Sequence, residues 1–262
     1  MNPEDKLIID LDNTITVDSS SEEYSSKKKN IKVVEAIKKA AAKSIEVIIF
    51  SARNMRSFNG DLEKINEITK PLALNWLDKN QVIYDEVIFG KPWAGKGGWY
   101  IDDRNLSLEE FIFKFSGPFS GFKFDILIPF FNEEENIENV FEQTTKLDRL
   151  LDIKTFIFIN NGSKDKSELH LKQLKKIDKR IKVINIKNNE GYGNGIKIGL
   201  ERVTADYVLI NHSDGQFDAY QFILSNSESL SEGVEAVMPQ RYNRSLAQIF
   251  CTGILKIILS MF

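Results

Sequence analysis

Short apolar runs that break off in a polar or acidic turn recur along this chain, and amphipathic segments of helical spacing fill most of the gaps between them. Strands alternating with helices leave few solutions other than α/β layers, with helices packed on the sheets. In the first half the candidate strands are Lys6–Asp10, Glu46–Phe50, Glu86–Phe89 and Trp99–Ile101. Ile31–Ala42 lies between the first two, with Ile31, Val34 and Ile37 spaced for a helix, and a second helix over Asp61–Thr69 follows Phe50. In the second half the strands are Phe124–Pro129, Thr155–Asn160, Ile181–Ile186, Tyr207–Asn211 and Glu235–Met238, with helices over Glu134–Leu147, Ser167–Ile177 and Gly195–Val203. The clear cluster of chain breakers is Ser116-Gly117-Pro118-Phe119-Ser120-Gly121. The expectation is two tandem α/β domains, residues 1–115 and 122–262, joined by a linker at 116–121.

Composition narrows the classes of function. The chain has 262 residues, of which 42% are hydrophobic, enough for two small cores. A formal net charge of −3 offers no basic field for nucleic acid. Cys251 is the only cysteine, which excludes an intrachain disulfide and fits a reducing compartment. With two histidines beside it, a zinc site is not expected. Met1-Asn2-Pro3-Glu4-Asp5 is polar and acidic, unlike a signal peptide, and the charged stretch Ser19–Asn30 reads as a solvated loop. Ile249–Phe262 is apolar except for Thr252, Gly253, Lys256 and Ser260, and is shorter than the roughly 20 residues that span a bilayer. An interfacial helix, a helix packed on the domain and a membrane span cut short are the three readings. The chain stops inside this run and reads as a fragment. The location these features point to is the cytoplasm, with peripheral contact to the inner face of the cytoplasmic membrane through the apolar segment.

Two acidic turns carry the chemistry of the first half. Lys6–Asp10 ends in Asp10-Leu11-Asp12-Asn13-Thr14, and Trp99–Ile101 ends in Asp102-Asp103. Carboxylates at the carboxyl ends of parallel strands mark the ligand crevice of an open sheet. Four of them in one crevice call for a hard cation, and magnesium suits oxygen ligands. One carboxylate can attack phosphorus while its neighbour carries a proton. Thr14 can hold the turn. Ser51 can hydrogen-bond a phosphate oxygen, and Lys91 can neutralise the transferring group. Each piece alone is weak, because acidic strand ends often cap helices. The ordered set is far more specific.

That set resembles the haloacid dehalogenase superfamily of aspartate-nucleophile phosphatases. The resemblance implies a Rossmann-like domain in which Asp10 is the nucleophile and Asp12 the general acid/base. It makes Ser51 the second motif, Lys91 the third and Asp102-Asp103 the fourth, with magnesium held by Asp10, Asp12, Asp102 and Asp103. Ser51-Ala52-Arg53-Asn54-Met55, Gly60-Asp61, Trp76-Leu77, Tyr84-Asp85-Glu86, Phe89-Gly90-Lys91-Pro92 and Tyr100-Ile101-Asp102-Asp103-Arg104 are similar to the small capless phosphatases of capsule-biosynthesis clusters. The likeness covers residues 5 to 112. No long insertion follows Asp12 or Ser51, so the crevice is expected to be open, and a sugar phosphate is the implied substrate.

The second half repeats the strand–turn–helix pattern with other residues. Phe124–Pro129 leads into Phe130-Phe131-Asn132-Glu133, and Thr155–Asn160 into Asn161-Gly162-Ser163. Asn189-Glu190-Gly191-Tyr192-Gly193-Asn194-Gly195 opens a helix whose N-terminal amides can accept a phosphate, although such glycines also mark tight turns. Tyr207–Asn211 delivers His212-Ser213-Asp214-Gly215-Gln216, in which Asp214 and Gln216 can face one cation.

Together these segments resemble the family-2 glycosyltransferases of GT-A fold, particularly dolichol- and polyprenol-phosphate sugar transferases, over residues 123 to 245. The resemblance implies a nucleotide-sugar site built from Pro129, Asn132, Glu133, Asn161, Gly191, Gly193, His212, Asp214 and Arg241. It implies magnesium or manganese at Asp214 and Gln216. Asn161 stands where the family has an aspartate for the base, and His212 where it has the first aspartate of its D-x-D motif. The combined expectation is a bifunctional enzyme of surface-polysaccharide or glycolipid assembly. It would join phosphomonoester hydrolysis to sugar transfer from a nucleoside-diphosphate sugar to a lipid-linked or polysaccharide acceptor. The alternative is an active phosphatase with a transferase-like domain that only binds or scaffolds.

Overall fold

The computed structural model describes residues 5–17, 23–95, 98–100, 102, 104–215, 217–227 and 230. They belong to one compact unit, Met1–Leu230. The expected strand Glu235–Met238, Arg241, Asp103, Gln216 and the apolar segment Ile249–Phe262 all lie outside the described residues.

The first sheet is parallel, in the order β1 (Lys6–Ile9), β2 (Glu46–Ser51), β3 (Glu86–Phe89). Its register sets Ile9 beside Ile49 and Ser51 beside Phe89, so the carboxyl ends of the strands align. α1 (Ile31–Ala42) is capped by the Asn30 side chain, which accepts the Val33 N–H at 3.4 Å, and it buries Val33, Val34, Ala36, Ile37 and Ala40. The helix after β2 corrects the sequence reading. It starts at α2 (Leu62–Lys64), passes through a π-type turn at Ile65–Thr69 and continues as α3 (Lys70–Lys79). Pro71 does not stop it, because it falls in the first turn of α3. Ala73, Trp76 and Leu77 then close the core. Trp99 and Tyr100 are not in a strand. Trp99 is 80% exposed, and the Tyr100 hydroxyl is bonded to the Pro92 carbonyl. The run is too short and too exposed to hold a place in the ladder.

α4 (Leu108–Ser116) joins the two sheets. Its start is a capping box, in which the Ser107 hydroxyl accepts the Glu110 N–H and the Glu110 carboxylate accepts the Ser107 N–H. Phe111 and Phe115 enter the first core, and Phe113 enters the second. The 117–121 turn is packed as well. Phe119 meets Phe113, Phe124 and Tyr207 edge-on, with ring centroids 6.3, 5.5 and 5.4 Å apart. The Ser120 hydroxyl donates to the Phe115 carbonyl at 2.7 Å, and the Lys114 ammonium donates to the Asp148 carbonyl.

The second sheet comprises β4 (Lys123–Phe130), β5 (Asp152–Asn161), β6 (Ile181–Ile186) and β7 (Tyr207–Ile210), all parallel, in the order β6-β5-β4-β7. Four helices follow its strands: α5 (Ile137–Thr145), α6 (Ser167–Ile177), α7 (Tyr192–Leu200) and α8 (Ala219–Ser225). One face buries Ile126, Ile128, Phe130, Phe156 and Phe158, and the other buries Leu127, Ile157 and Ile159. α7 begins three residues before the expected Gly195, at Tyr192. It reaches the sheet only because residue 199 is glycine, since a Cβ there would stand 2.4 Å from Ile159 Cδ1 and 2.7 Å from Leu127 Cδ2. Among the described residues no helix is long and apolar enough to cross a membrane.

Candidate functional site

Two sites form at the carboxyl ends of the two sheets. In the first, β1 runs into the turn Leu11–Ile15, where Asn13 takes a left-handed conformation at φ 62°. The hydroxyl seen holding the turn belongs to Thr16, which accepts the Asn13 N–H at 3.2 Å; the sequence reading had put Thr14 in that role. Lys91 comes off the end of β3 and its ammonium sits 3.0 Å from Asp10 Oδ1. Burial pushes the Asp10 carboxyl above its ordinary value, with Lys91 pulling the other way and the Asp12 charge adding to the rise. Ser51 is fully buried, and its hydroxyl accepts the Arg53 N–H at 3.0 Å.

Arg53 is the residue the sequence reading left without a role. Only 4% exposed, it grips both carboxylate oxygens of Asp12, with Nε–Oδ2 at 3.1 Å and Nη2–Oδ1 at 2.7 Å. Its guanidinium lies 4.2 Å from the centre of the Tyr24 ring, and the Lys91 ammonium lies 4.3 Å from that of Tyr100. Each cation at the crevice is thus shared between a carboxylate and a ring. The structure therefore brings Asp10, Asp12, Ser51 and Lys91 together. Asp102 is exposed, with Oδ1 accepting the Arg104 N–H at 2.7 Å. Among the described residues no three carboxylates, imidazoles or thiols gather to hold a metal ion. Both Asp12 oxygens are engaged by Arg53, Asp10 Oδ1 by the Lys91 ammonium and Asp102 Oδ1 by the Arg104 N–H.

The second site lies where the strand order reverses. The chain steps outward from β4 through β5 to β6 and then returns to β7 on the opposite side of β4. Such a switch point leaves a crevice beyond the strand ends. Here a cavity of about 270 Å³ is lined by Pro129, Phe131, Glu133, Asn161, Asn189, Tyr192, His212 and Asp214, among others. Asn132, at φ 54°, ties two of its loops together. Its N–H donates to the Ser163 hydroxyl at 2.9 Å, and its side-chain oxygen accepts the Lys164 N–H at 2.9 Å. Glu133 donates its N–H to the Ser167 hydroxyl and accepts the Asn136 amide.

Asn161 differs from expectation. Its amide nitrogen donates to the Gly191 carbonyl at 3.0 Å and to Asn189 Oδ1 at 3.1 Å, and its oxygen accepts the Glu190 N–H at 3.2 Å. It holds the glycine-rich loop in place and does not present a free amide to a base. The loop also needs Gly162, at φ 81°, because a Cβ there would come 2.7 Å from the Asn189 nitrogen and 2.8 Å from the Asn188 carbonyl carbon. Gly162→Ala is expected to cost about 1–3 kcal/mol, from the left-handed backbone and the forced shift of the 188–191 loop. Urea denaturation measures the loss, and an unchanged midpoint would show that the close approach is not required.

Tyr192, which the sequence reading passed over within the glycine-rich run, stacks on His212 with centroids 5.4 Å apart and ring planes 6° from parallel. Its hydroxyl lies 3.2 Å from His212 Nδ1. Burial, and then the nearby Asp214 charge, keep that hydroxyl above its ordinary pKa. Gly191, at φ 89°, makes the turn that admits α7, whereas a side chain on Gly193 would meet open space.

The family described as Glycosyl transferase family 2 matches residues 125–253. A Bacillus subtilis (strain 168) protein described as an uncharacterized glycosyltransferase, YkcC, is 29% identical over 47% of this chain and 38% of its own length. The bactoprenol glucosyl transferase of Shigella phage SfX is 29% identical over 47% of this chain and 40% of its own length. The chain thus spans well under half the length of these curated relatives. A crystal structure of a structural-genomics target from Vibrio cholerae is 43% identical over 41% of this chain and 87% of that one, with a TM-score of 0.40.

Proposed function

We propose that residues 125–253, which match the family described as Glycosyl transferase family 2, form a GT-A-like domain that binds a nucleoside-diphosphate sugar in the switch-point cavity and transfers the sugar to a lipid-linked or polysaccharide acceptor. The observation that carries the reading is the convergence of two strand ends, at Pro129 and Asn161, and the turn after β7, at Asp214, on one cavity with the N-terminus of α7 at its wall. The acceptor hydroxyl attacks the anomeric carbon, the bond to the diphosphate breaks, and the nucleoside diphosphate leaves. A magnesium or manganese ion at Asp214 and Gln216 would neutralise the diphosphate charge. Arg241 would add a cation to the same group. Calorimetry with uridine and guanosine diphosphates and manganese is expected to show binding, weakened at least about tenfold by Asp214→Ala. No binding of either nucleotide would sink the donor-site reading. His212, in place of an aspartate, favours a second reading, in which this half binds without transferring. Sugar-nucleotide turnover that is present in the wild-type chain and lost in Asp214→Ala excludes it.

For the first half the proposed activity is hydrolysis of a phosphomonoester on a sugar, through an aspartyl-phosphate, supported by Lys91 and Asp10 at 3.0 Å and by Asp12 beside them. Asp10 attacks phosphorus, the ester P–O bond breaks, and Asp12, protonated and released from the Arg53 guanidinium that holds it in the free chain, gives the leaving oxygen its proton. Water then attacks the phosphoryl group, Asp12 takes back a proton, and Asp10 is freed. Ser51 holds a phosphoryl oxygen, and Lys91 offsets its charge. Magnesium held by Asp10, Asp102 and Asp103 would add charge neutralisation. The two steps together fit coupled reactions in surface-polysaccharide or glycolipid assembly on the cytoplasmic face of a membrane.

A further inference from the structure

The ion pair between Arg53 and Asp12 sets a condition on the proposed hydrolysis. Nε and Nη2 of one guanidinium hold both oxygens of Asp12, at 3.1 and 2.7 Å. In the free chain the carboxylate that is to protonate the leaving oxygen is therefore engaged with a cation. The Arg53 side chain is 2% exposed and that of Asp12 26%. Parting the two without a replacement would leave a guanidinium with little water around it and no counter-charge, which is strongly unfavourable. Another anion has to take the place of Asp12. The Arg53 N–H donates to the Ser51 hydroxyl at 3.0 Å, so Arg53 leaves the backbone beside the group proposed to hold a phosphoryl oxygen. Among the described residues its Nη1 makes no hydrogen bond, and the buried side-chain atoms without a partner are Ser116 Oγ and Asp125 Oδ1, so Nη1 is open to solvent.

We propose that Arg53 is a phosphoryl-binding residue that changes partners: when a phosphate monoester enters, the guanidinium passes from Asp12 to a phosphoryl oxygen, and the proton donor is released only with the phosphoryl group in place. This deepens the phosphatase reading of the first half and rests on it. A guanidinium fork fits phosphate as well as it fits carboxylate. Nη1 can meet the entering oxygen while Nε and Nη2 still hold Asp12, so the exchange passes through no stage at which Arg53 is unpaired. The Tyr24 ring backs the guanidinium at 4.2 Å, so the shift runs across the ring and keeps that contact. Lys91 stands ready for the same group from the other carboxylate, 3.0 Å from Asp10. With water alone in the crevice nothing draws Arg53 away, and Asp12 stays engaged.

A crystal structure of the full chain with Mg2+ and orthovanadate, which mimics a phosphoryl group in transfer, tests the exchange directly. It is expected to show an Arg53 nitrogen within about 3 Å of a vanadate oxygen and Asp12 free of Arg53. In solution, Arg53→Met is expected to raise the inhibition constant of inorganic phosphate, and KM for sugar phosphates with it, at least about tenfold, as fits the loss of a hydrogen bond to a charged group. Arg53→Lys keeps the charge without the fork and should recover part of that loss. A clamp that only placed Asp12 would instead lower kcat and leave the phosphate constant where it was. Vanadate bound with Nε and Nη2 still on Asp12 would overturn the exchange and leave the phosphatase reading standing, as would a phosphate constant unchanged in Arg53→Met. If Arg53→Met does not fold, the wild-type vanadate complex decides alone. A wild-type chain that releases no phosphate from any sugar phosphate and binds no vanadate would end the phosphatase reading, and this proposal with it.

Discussion

Asp10→Asn is expected to lower phosphate release from sugar phosphates by at least about a thousandfold while leaving the fold and nucleotide binding intact. A carboxamide matches the carboxylate in shape but does not form an acyl phosphate. The fold should tolerate the change well. Burial raises the Asp10 carboxyl above its ordinary value, so the ionised form is disfavoured in the folded state. A raised folded value means that this contribution is fully present below the unfolded pKa and is lost as the pH rises through the folded one. At neutral pH Asn therefore removes a destabilising charge. The same logic sets the pH profile. In the proposed hydrolysis Asp10 must be ionised to attack, so the acid limb of kcat/KM should lie above the ordinary aspartate range, and Lys91→Met should move it higher still, because Lys91 favours the anion. Phosphate release on a panel of sugar phosphates, measured across pH, checks both. Equal activity in Asp10→Asn and wild type would end the phosphatase reading. An acid limb unmoved by Lys91→Met would detach Lys91 from the nucleophile.

Much of the scaffold was legible because buried parallel strands write themselves as apolar runs. β2, β3 and β6 fall where the runs predict, within a residue. The acidic and glycine-rich turns then had to lie at the carboxyl edges, which is why the sequence alone groups Asp10, Ser51 and Lys91. What escaped was set by partners far along the chain. Arg53 reads as one basic residue among many until Asp12, 41 positions away, is seen in its grip. Asn161 looks like a ligand contact, but its amide is claimed by residues 28 to 30 positions further on. Trp99–Ile101 has strand composition, yet Tyr100 instead places its ring over Lys91. The breakers at 116–121 mark a turn correctly, but nothing local says that Phe119 will be packed against Tyr207.

That packing leads to the second large effect. Glu110→Ala is expected to cost about 3–5 kcal/mol and to loosen both sheets together. Glu110 is 2% exposed and sits at the start of the shared helix α4. Arg149 holds both its oxygens, with Nη2 at 2.9 Å from Oε2, and the Tyr220 hydroxyl donates to it at 2.6 Å. Arg149 also donates to the Asn105 carbonyl, two residues past Asp103, while Tyr220 rides on α8, which follows the Asp214 turn. One carboxylate thus ties the loop of the first site to the helix beyond the second. Burial alone would push Glu110 up, but Arg149, Tyr220 and the Ser107 N–H together bring it down to about 2. Against an ordinary value of 4.5, that corresponds to about 3 kcal/mol, complete above pH 4.5 and lost as the pH falls through 2. Tyr220→Phe removes one hydrogen bond to a charged group and should cost about 1.5–3 kcal/mol. Urea denaturation read by tryptophan fluorescence, which reports on the first half because Trp76, Trp93 and Trp99 all lie there, and by far-UV circular dichroism, which reports on both, checks the coupling. The two signals should share one midpoint in wild type and move together in Glu110→Ala. Separate midpoints, with only one shifted by the variant, would mean that α4 does not weld the sheets and that each half holds itself up.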